Sequence, residues 1–190
     1  MVRIVAGELG GRRVRAPRGD ATRPTSDRAR ESLFARLGPI DGLDAIDPFA
    51  GTGALGLEAL SRGAASCVFS ETGHAALACL RENVEMLGVA DRSRVLRSDG
   101  ARLLRVEAAA GRRFGLVLLD PPYTLLPRLL PTLGDLVVAV AAPGALIALE
   151  APTGLDVDLG PGLEHRSATR TGAAVHHLFA ACATPNPSRH

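Results

Sequence analysis

The sequence has 190 residues, is 46% hydrophobic and 22% charged, and carries a net charge of +2. This length allows one α/β domain with its own core and a short appendage, and the composition is ordinary for a soluble globular protein. The three cysteines lack metal-ligand spacing and the five histidines are scattered, which argues against a zinc site. The most apolar stretch, residues 133–149, is broken by Asp135 and Pro143, and no signal peptide opens the chain, so we expect a cytoplasmic protein without a membrane span.

The positive charge is concentrated at the amino terminus. All 22 Lys+Arg residues of the chain are arginine. Residues 1–36 contain nine arginines and four acids, which gives 9 − 4 = +5, whereas the whole chain carries +2 and the remainder therefore −3. A basic arm on a slightly acidic body favours a polyanionic partner, although composition alone equally allows a solvated arm.

The first elements in chain order form this arm, residues 1–40. Short apolar runs around glycines predict a small basic hairpin over Val2–Val14. After a proline-containing loop, Thr25, Ser26 and Asp27 are suitable cap residues for a helix that ends at Gly38-Pro39.

From residue 41 to residue 183, apolar runs alternate with helical stretches. The predicted strands are Leu43–Asp47, Cys67–Ser70, Arg94–Arg97, Leu116–Asp120 and Ala145–Glu150. The predicted helices are Leu55–Ser61, Ala75–Leu87, Ala101–Ala108 and Leu125–Val140. This alternation predicts an α/β, Rossmann-like domain with a parallel sheet covered by helices on both faces. Leu163–Arg170 and Val175–Ala183 predict an antiparallel hairpin at one edge, which gives a mostly parallel seven-stranded sheet, and we expect 184–190 to be a disordered tail.

Three features at the ends of successive predicted strands indicate a ligand site. Residues 47–56 (DPFAGTGALG) form a glycine-rich turn, Glu71 ends the next strand, and Asp99-Gly100 ends the third. Glycines let the backbone pass close to a ligand, a carboxylate accepts ribose hydroxyls, and Asp99 is placed to reach an adenine edge. The pattern also fits an NAD fingerprint, but Asp47 would repel a pyrophosphate and suits the cationic methionine part of S-adenosylmethionine.

The chemical site follows the fourth predicted strand. Residues 114–119 lead directly into Asp120-Pro121-Pro122-Tyr123, which contains the only tyrosine of the chain. Proline restricts the backbone, so the Asp120 carboxylate and the Pro121 carbonyl are held as two acceptors. Two fixed acceptors match the two hydrogens of an exocyclic amino group, and Tyr123 is suited to stack on the base. A strand-end turn with a packing tyrosine is the alternative.

The glycine turn and Asp120–Tyr123 resemble the Rossmann-like methyltransferases that act on amino groups of adenine, guanine or glutamine. The amino-terminal residues 3–7 (RIVAG), 11–13 (GRR) and 23–34 (RPTSDRARESLF) narrow the resemblance to the RsmD family of bacterial 16S rRNA guanine-N2 methyltransferases. The likeness extends over nearly the whole chain. After Glu71 the family usually continues with an acidic or polar residue and arginine, whereas this chain has Thr72-Gly73-His74.

This resemblance implies a class I fold, S-adenosylmethionine as cofactor, and 16S rRNA in the small ribosomal subunit or its assembly intermediate as partner. The residues themselves predict no metal and no membrane, and the arm and short loops predict a monomer. The implied catalytic residues are Asp120, Pro121, Pro122 and Tyr123. The implied cofactor-binding residues are Asp47, Phe49, Gly51, Thr52, Gly53, Glu71, Asp99 and Gly100. The implied RNA-binding residues are Arg12, Arg13, Arg23, Arg28 and Arg30, some of which would instead brace the arm.

Three other functions remain open from the residues alone. The same chemistry serves adenine N6 or a glutamine amide, although the chain is too short for a separate DNA-recognition domain and lacks a protein-binding amino-terminal domain. A noncatalytic RNA-binding assembly factor would retain the cofactor fold. An NAD-dependent oxidoreductase would share the glycine fingerprint.

Overall fold

The structure is a computed structural model that describes residues 2–17 and 27–182. Strands β1 (Val2–Arg3) and β2 (Arg13–Val14) form a small antiparallel pair. The other strands are β3 (Asp44–Asp47), β4 (Ser66–Ser70), β5 (Ser93–Leu96), β6 (Phe114–Leu119), β7 (Ala141–Pro152), β8 (Leu163–Thr171) and β9 (Ala174–Ala181). The α-helices are α1 (Asp27–Leu37), α2 (Ala54–Ser61), α3 (His74–Leu87), α4 (Gly100–Ala109) and α5 (Leu126–Val138), and a short 3-10 helix covers Ala90–Arg92.

The large sheet has seven strands in the order β5-β4-β3-β6-β7-β9-β8. Strands β3, β4, β5, β6 and β7 are parallel to one another, whereas β9 pairs antiparallel with both β7 and β8. The predicted mostly parallel sheet and its antiparallel edge hairpin are therefore confirmed. The strand order reverses between β3 and β6, and open α/β sheets bind ligands at the carboxyl ends of the strands at such a point.

Two apolar cores lie on the two faces of this sheet. On one face, buried residues of α1, α2 and α3 pack against β3, β4 and β6. On the other face, buried residues of α4 and α5 pack against β6 and β7. Helices α1, α3, α4 and α5 each bury one apolar stripe and expose the opposite face, whereas α2 is buried along almost its whole length. This arrangement confirms helices on both faces.

The amino-terminal hairpin belongs to the first of these cores. Val2, Ile4, Leu9 and Val14 are buried together with residues of α1 and α2. The carboxylate of Glu58, itself fully buried on α2, accepts hydrogen bonds from the amides of Val5 (2.7 Å) and Ala6 (3.1 Å). The predicted hairpin and helix of the arm are present, and the hairpin is fastened directly to α2.

Most element boundaries agree with the predicted ones to within two residues, but β7 begins at Ala141 rather than Ala145. The register with β6 shifts between Phe114 and Leu116, so β7 accommodates Pro143 and Gly144 in an irregular segment. The tail prediction for 184–190 lies outside the described residues. Within 2–17 and 27–182, no helix is long and apolar enough to cross a membrane.

Candidate active site

Four acidic residues lie at or just beyond the carboxyl ends of neighbouring parallel strands. Asp47 ends β3, Glu71 follows β4, Asp99 comes three residues after β5, and Asp120 follows β6. These strands are adjacent in the order β5-β4-β3-β6, so the four residues are positioned along one edge of the sheet. The arrangement therefore brings together the acids that the sequence identified separately.

The glycine-rich turn between β3 and α2 needs its glycines for two different reasons. Gly51 and Gly53 have φ values of +55° and +88°, a backbone region that side chains disfavour. At Gly56 the conformation is ordinary, but an added Cβ would lie 2.3 Å from the Phe69 ring, so glycine lets α2 pack closely on β4. The turn thus exposes backbone at the sheet edge and starts a helix there.

Asp47 is buried at the base of this turn. Its Oδ2 accepts a hydrogen bond from the amide of Gly56 at 3.1 Å. Its Oδ1 is buried and makes no well-aligned hydrogen bond among the described residues, although the nearby Phe49 amide lowers the pKa of the carboxyl group. Burial raises the pKa of Asp47 to about 7, and the nearby charge of Glu71 acts in the same direction. A buried acceptor without a donor is what a cationic ligand group would satisfy.

Glu71 and Asp99 hold the backbone around the same edge. The carboxylate of Glu71 accepts hydrogen bonds from the amides of Gly51 (2.9 Å) and Gly73 (2.6 Å). Gly73 belongs to the Thr72-Gly73-His74 segment that departs from the family pattern. Asp99 is the N-cap of α4 and accepts from the amide of Arg102 at 3.0 Å. Each carboxylate retains further lone pairs for a ligand, since a carboxylate oxygen can accept two hydrogen bonds.

The residues of this edge fit S-adenosylmethionine. The unpartnered Oδ1 of Asp47 matches a cationic methionine group, and Glu71 offers acceptors for hydroxyl groups. Gly100 at the start of α4 packs against the glycine turn, because a Cβ there would lie 2.5 Å from the Pro48 carbonyl oxygen and against the Phe49 ring.

Residues 120–123 form the turn from β6 into α5. Burial raises the pKa of Asp120 well above its ordinary value, and the charges of Glu150 and Asp47 add to this effect. Pro121 is buried, while Pro122 and Tyr123 are exposed. The carbonyl of Pro122 accepts from the amides of Leu125 (2.8 Å) and Leu126 (3.1 Å), which anchors the turn to the start of α5.

Two residues that the sequence analysis did not select lie behind this turn. Glu150 of β7 accepts a hydrogen bond from the Tyr123 hydroxyl through Oε1 at 2.9 Å. Its Oε2 lies 3.0 Å from Nε2 of His176, which is buried on β9. The predicted strand Ala145–Glu150 already ended in an acid next to the Asp120 strand, so the same strand-end pattern would have found Glu150. No local pattern identifies His176.

Comparisons with known proteins identify the family of this chain. A family model described as "Conserved hypothetical protein 95" matches residues 2–179. The chain is 39% identical over 123 residues to the putative rRNA methyltransferase YlbH of Bacillus subtilis, covering 64% of this chain and 67% of that protein. It is 41% identical over 123 residues to ribosomal RNA small subunit methyltransferase D of Escherichia coli, covering 64% of this chain and 60% of that protein.

A solved structure, the putative methyltransferase yhhF from Escherichia coli, superposes with a TM-score of 0.79 at 32% identity and covers 96% of this chain and 99% of that one. The chain belongs to the RsmD family. It has the class I fold of that family of S-adenosylmethionine-dependent methyltransferases, as the resemblance of its motifs implied.

The RsmD-type arm uses some of its arginines for bracing. The Arg12 guanidinium donates to the carbonyls of Leu87 (3.0 Å) and Met86 at the end of α3. Arg30 is buried, with 1% of its surface exposed. Its guanidinium pairs with Asp27 at 2.7 Å and donates a hydrogen bond to the Arg3 carbonyl at 2.6 Å. Arg30 therefore cannot face a phosphate in this conformation, because its cation is enclosed by the arm.

Of the other three predicted RNA-binding residues, the two that the structure describes do not brace the arm in this way. Arg13 on β2 and Arg28 on α1 are exposed. Arg23 lies outside the described residues. Next to Arg13, a cleft of about 710 Å³ separates the chain after β2 from α3, with Arg15, Glu82 and Met86 also in its lining. Arg13 is therefore the member of the predicted set that lines this cleft, whereas Arg28 lies elsewhere on the surface, and Arg15 is paired with Glu82 at 2.8 Å.

A further residue joins the arm to the glycine turn of this RsmD-family fold. Asn83 of α3 is fully buried, and its Oδ1 accepts from the amide of Arg15 at 2.8 Å. Its Nδ2 donates to the carbonyls of Arg15 and Thr52, each at 3.0 Å. No group of three or more potential metal ligands occurs among residues 2–17 and 27–182.

Proposed function

We propose that this protein transfers a methyl group from S-adenosylmethionine to the exocyclic N2 of a guanine in 16S rRNA of the small ribosomal subunit. The observation that carries the proposal is the position of Asp120–Tyr123 at the same sheet edge as the glycine turn and the buried, unpartnered oxygen of Asp47. The names of the two curated relatives, both rRNA methyltransferases, support RNA as the substrate class.

The cofactor-binding residues have separate parts in this proposal. Asp47 pairs with the cationic methionine group, and the backbone of residues 49–53 lies along it. Glu71 accepts the ribose hydroxyls. Asp99 and Gly100 border the adenine. Bound S-adenosylmethionine supplies an electrophilic methyl group.

Asp120 and the Pro121 carbonyl accept the two hydrogens of the guanine amino group. The nitrogen lone pair is otherwise delocalised into the base, so fixing both hydrogens directs it out of the ring plane and stabilises the positive charge that develops on nitrogen. An ionised Asp120 also takes the released proton after transfer. Tyr123, which is 39% exposed, stacks on the base once the base has left its helix or loop.

The arm holds the RNA. Arg13 and Arg28 contact phosphates, while Arg12 and Arg30 keep the arm rigid against the body. The partner is the small subunit or an assembly intermediate, and the enzyme acts as a monomer. Residues 1–40 thus serve as the RNA-binding arm of a catalytic domain that spans 41–183.

The test uses purified protein, methyl-labelled S-adenosylmethionine and small subunits from cells that lack this gene. Digestion of the RNA should yield labelled N2-methylguanosine with wild-type protein and none with Asp120→Ala. Asp91→Ala is the matched control, because Asp91 is an exposed acid in the 3-10 helix before β5, away from the carboxyl edge. Label in N6-methyladenosine or in protein, or equal activity of Asp120→Ala, would refute the proposal.

A further inference from the structure

A hydrogen-bonded chain of three side chains lies behind the proposed base platform. The Tyr123 hydroxyl donates to Glu150 Oε1 at 2.9 Å, and His176 Nε2 donates to Glu150 Oε2 at 3.0 Å. The side chains of Glu150 and His176 are only 12% and 2% exposed. Tyr123 is thus the outer end of a chain whose other two members are enclosed by the sheet.

The strand register fixes this chain in place. Glu150 on β7 and His176 on β9 are direct cross-strand partners. On the other side, Leu149 pairs with Leu119 of β6, so Glu150 and Asp120 follow at the same level of neighbouring strands. The position of Glu150 beside Asp120 therefore depends on backbone hydrogen bonding and not on a flexible loop.

A largely buried carboxylate contributes little to the stability of a sheet. Removing its charge from water is unfavourable, and an apolar pair of similar volume often serves stability as well or better. Here the carboxylate points at the one aromatic side chain of the proposed substrate site. This placement favours a role in the reaction.

We infer that Glu150 is a positioning residue for methyl transfer: anchored by His176, it fixes the Tyr123 ring and sets a second negative charge beside Asp120. The inference rests on the proposed function. Tyr123 lies in an exposed turn, and its hydrogen bond to Glu150 restricts the rotamers of its ring. Tethering its hydroxyl holds the stacking face in one orientation, and misplacement by about 1 Å lowers rates by about a hundredfold.

The charge of Glu150 has a consequence of its own. Among residues 2–17 and 27–182, the charged groups that act on Asp120 include Glu150 of β7 and Asp47 of β3, while Glu71 acts on Asp47 and His176 contacts Glu150. Burial raises the pKa of Asp120, and the Glu150 charge raises it further. Activity that needs ionised Asp120 then appears only as the pH rises through this raised pKa. Without the Glu150 charge, the acid limb of the kcat profile moves to lower pH.

The experiment compares Glu150→Gln with wild-type protein in the small-subunit assay. Glutamine keeps the size and an acceptor oxygen but removes the charge. We expect kcat to fall by about ten- to a hundredfold. The KM for subunits should stay within roughly twofold of the wild-type value, because phosphate contacts determine it. The acid limb of the kcat–pH profile should move to lower pH. Glu164→Gln, an exposed acid on β8, is the matched control and should change none of these.

Tyr123→Phe provides a second variant that leaves Glu150 and His176 intact. It removes only the hydroxyl group. Because the two substitutions break the same hydrogen bond, the double variant should lose less kcat than the product of the two single-variant losses. Because Tyr123 is the only tyrosine and tryptophan is absent, protein fluorescence reports this ring alone. A hydrogen-bonded carboxylate quenches phenol emission, so Glu150→Gln should brighten it and Glu164→Gln should not.

The outcomes separate the two proposals. Wild-type protein that places no methyl group on guanine N2 refutes the proposed function and, with it, this role of Glu150. If wild-type protein is active and Glu150→Gln has the same kcat and the same acid limb of the pH profile, only the inference about Glu150 is refuted. Multiplicative losses in the double variant, or unchanged emission in Glu150→Gln, also refute it. The emission measurement needs only folded protein, which a thermal melt of each variant verifies.

Discussion

At the scale of single residues, Asp47 combines burial, one unpartnered oxygen and a pKa of about 7. In the ligand-free protein this carboxyl group exchanges its proton near neutral pH, whereas an ordinary aspartate is fully ionised there. A cation bound against it stabilises the ionised form, so binding below the pKa must first release the proton. The protonation state of this one side chain therefore sets part of the cofactor affinity.

We expect the affinity for S-adenosylmethionine to rise with pH by up to about tenfold per unit below the Asp47 pKa, and to level off above it. Isothermal titration calorimetry over a pH series measures this. Asp47→Asn should bind more weakly and lose this pH dependence. Asp44→Asn, at the exposed start of the same strand, should keep the wild-type curve. A wild-type affinity that does not vary with pH would show that Asp47 does not contact the cation.

At the scale of elements, the amino-terminal hairpin depends on α2. Only two residues of each strand pair with each other, which is too little for an independent hairpin in water. The Glu58 carboxylate supplies acceptors to the amides of Val5 and Ala6, and Ser61 Oγ accepts from the amide of Leu9 at 3.0 Å. The hairpin therefore folds onto α2 and not before it.

Glu58→Gln should loosen this attachment. One acceptor oxygen becomes an NH₂ group facing a backbone amide, and the charge shared with Arg62 is lost, for a destabilisation of about 2 kcal/mol. Hydrogen exchange followed by NMR should show faster exchange at Val5 and Ala6, and urea unfolding should give the lower stability. Glu85→Gln, exposed on the next helix, is the control. Unchanged protection at both amides would contradict this account.

The elements themselves were largely predictable from the sequence, for a physical reason. Strand-end acids such as Glu71 and Asp120 follow short apolar runs, and this pattern is local in the chain. Contacts between distant segments were not predictable in the same way. The bond between Glu150 and His176 depends on the register of β7 against β9, and the burial of Arg30 depends on the hairpin that covers it. Counting charges along the arm could not distinguish Arg30, which is enclosed, from Arg28, which is exposed.

At the scale of the whole molecule, the arm carries a net positive charge, but only some of its arginines are positioned to contact a phosphate. Arg3, Arg15 and Arg30 are paired with acids, and Arg12 caps α3. Among the described members of the predicted set, Arg12, Arg13 and Arg28 are exposed, and Arg12 is the one that caps α3. A phosphate contact releases counterions, so its loss has a measurable salt dependence.

Arg13→Ala and Arg28→Ala should each weaken binding to small subunits and reduce the slope of log affinity against log salt by about 0.7 to 0.9. Filter binding over a salt series measures the slope. Arg166→Ala, an exposed arginine on β8, should leave it unchanged. A uniform loss of affinity with an unaltered slope would mean that these arginines act through the shape of the arm and not through phosphates.

Asn83 serves three backbone groups with one amide, two on Arg15 and one on Thr52. If either segment moves away, part of that amide is left unsatisfied in the interior, at a cost of about 1–3 kcal/mol. The arm and the glycine turn are therefore thermodynamically linked. If RNA binds the arm as proposed, it would stabilise the glycine turn, and a cofactor bound at the turn would stabilise the arm by the same free energy, because such coupling is reciprocal. Each ligand would then order the binding site of the other.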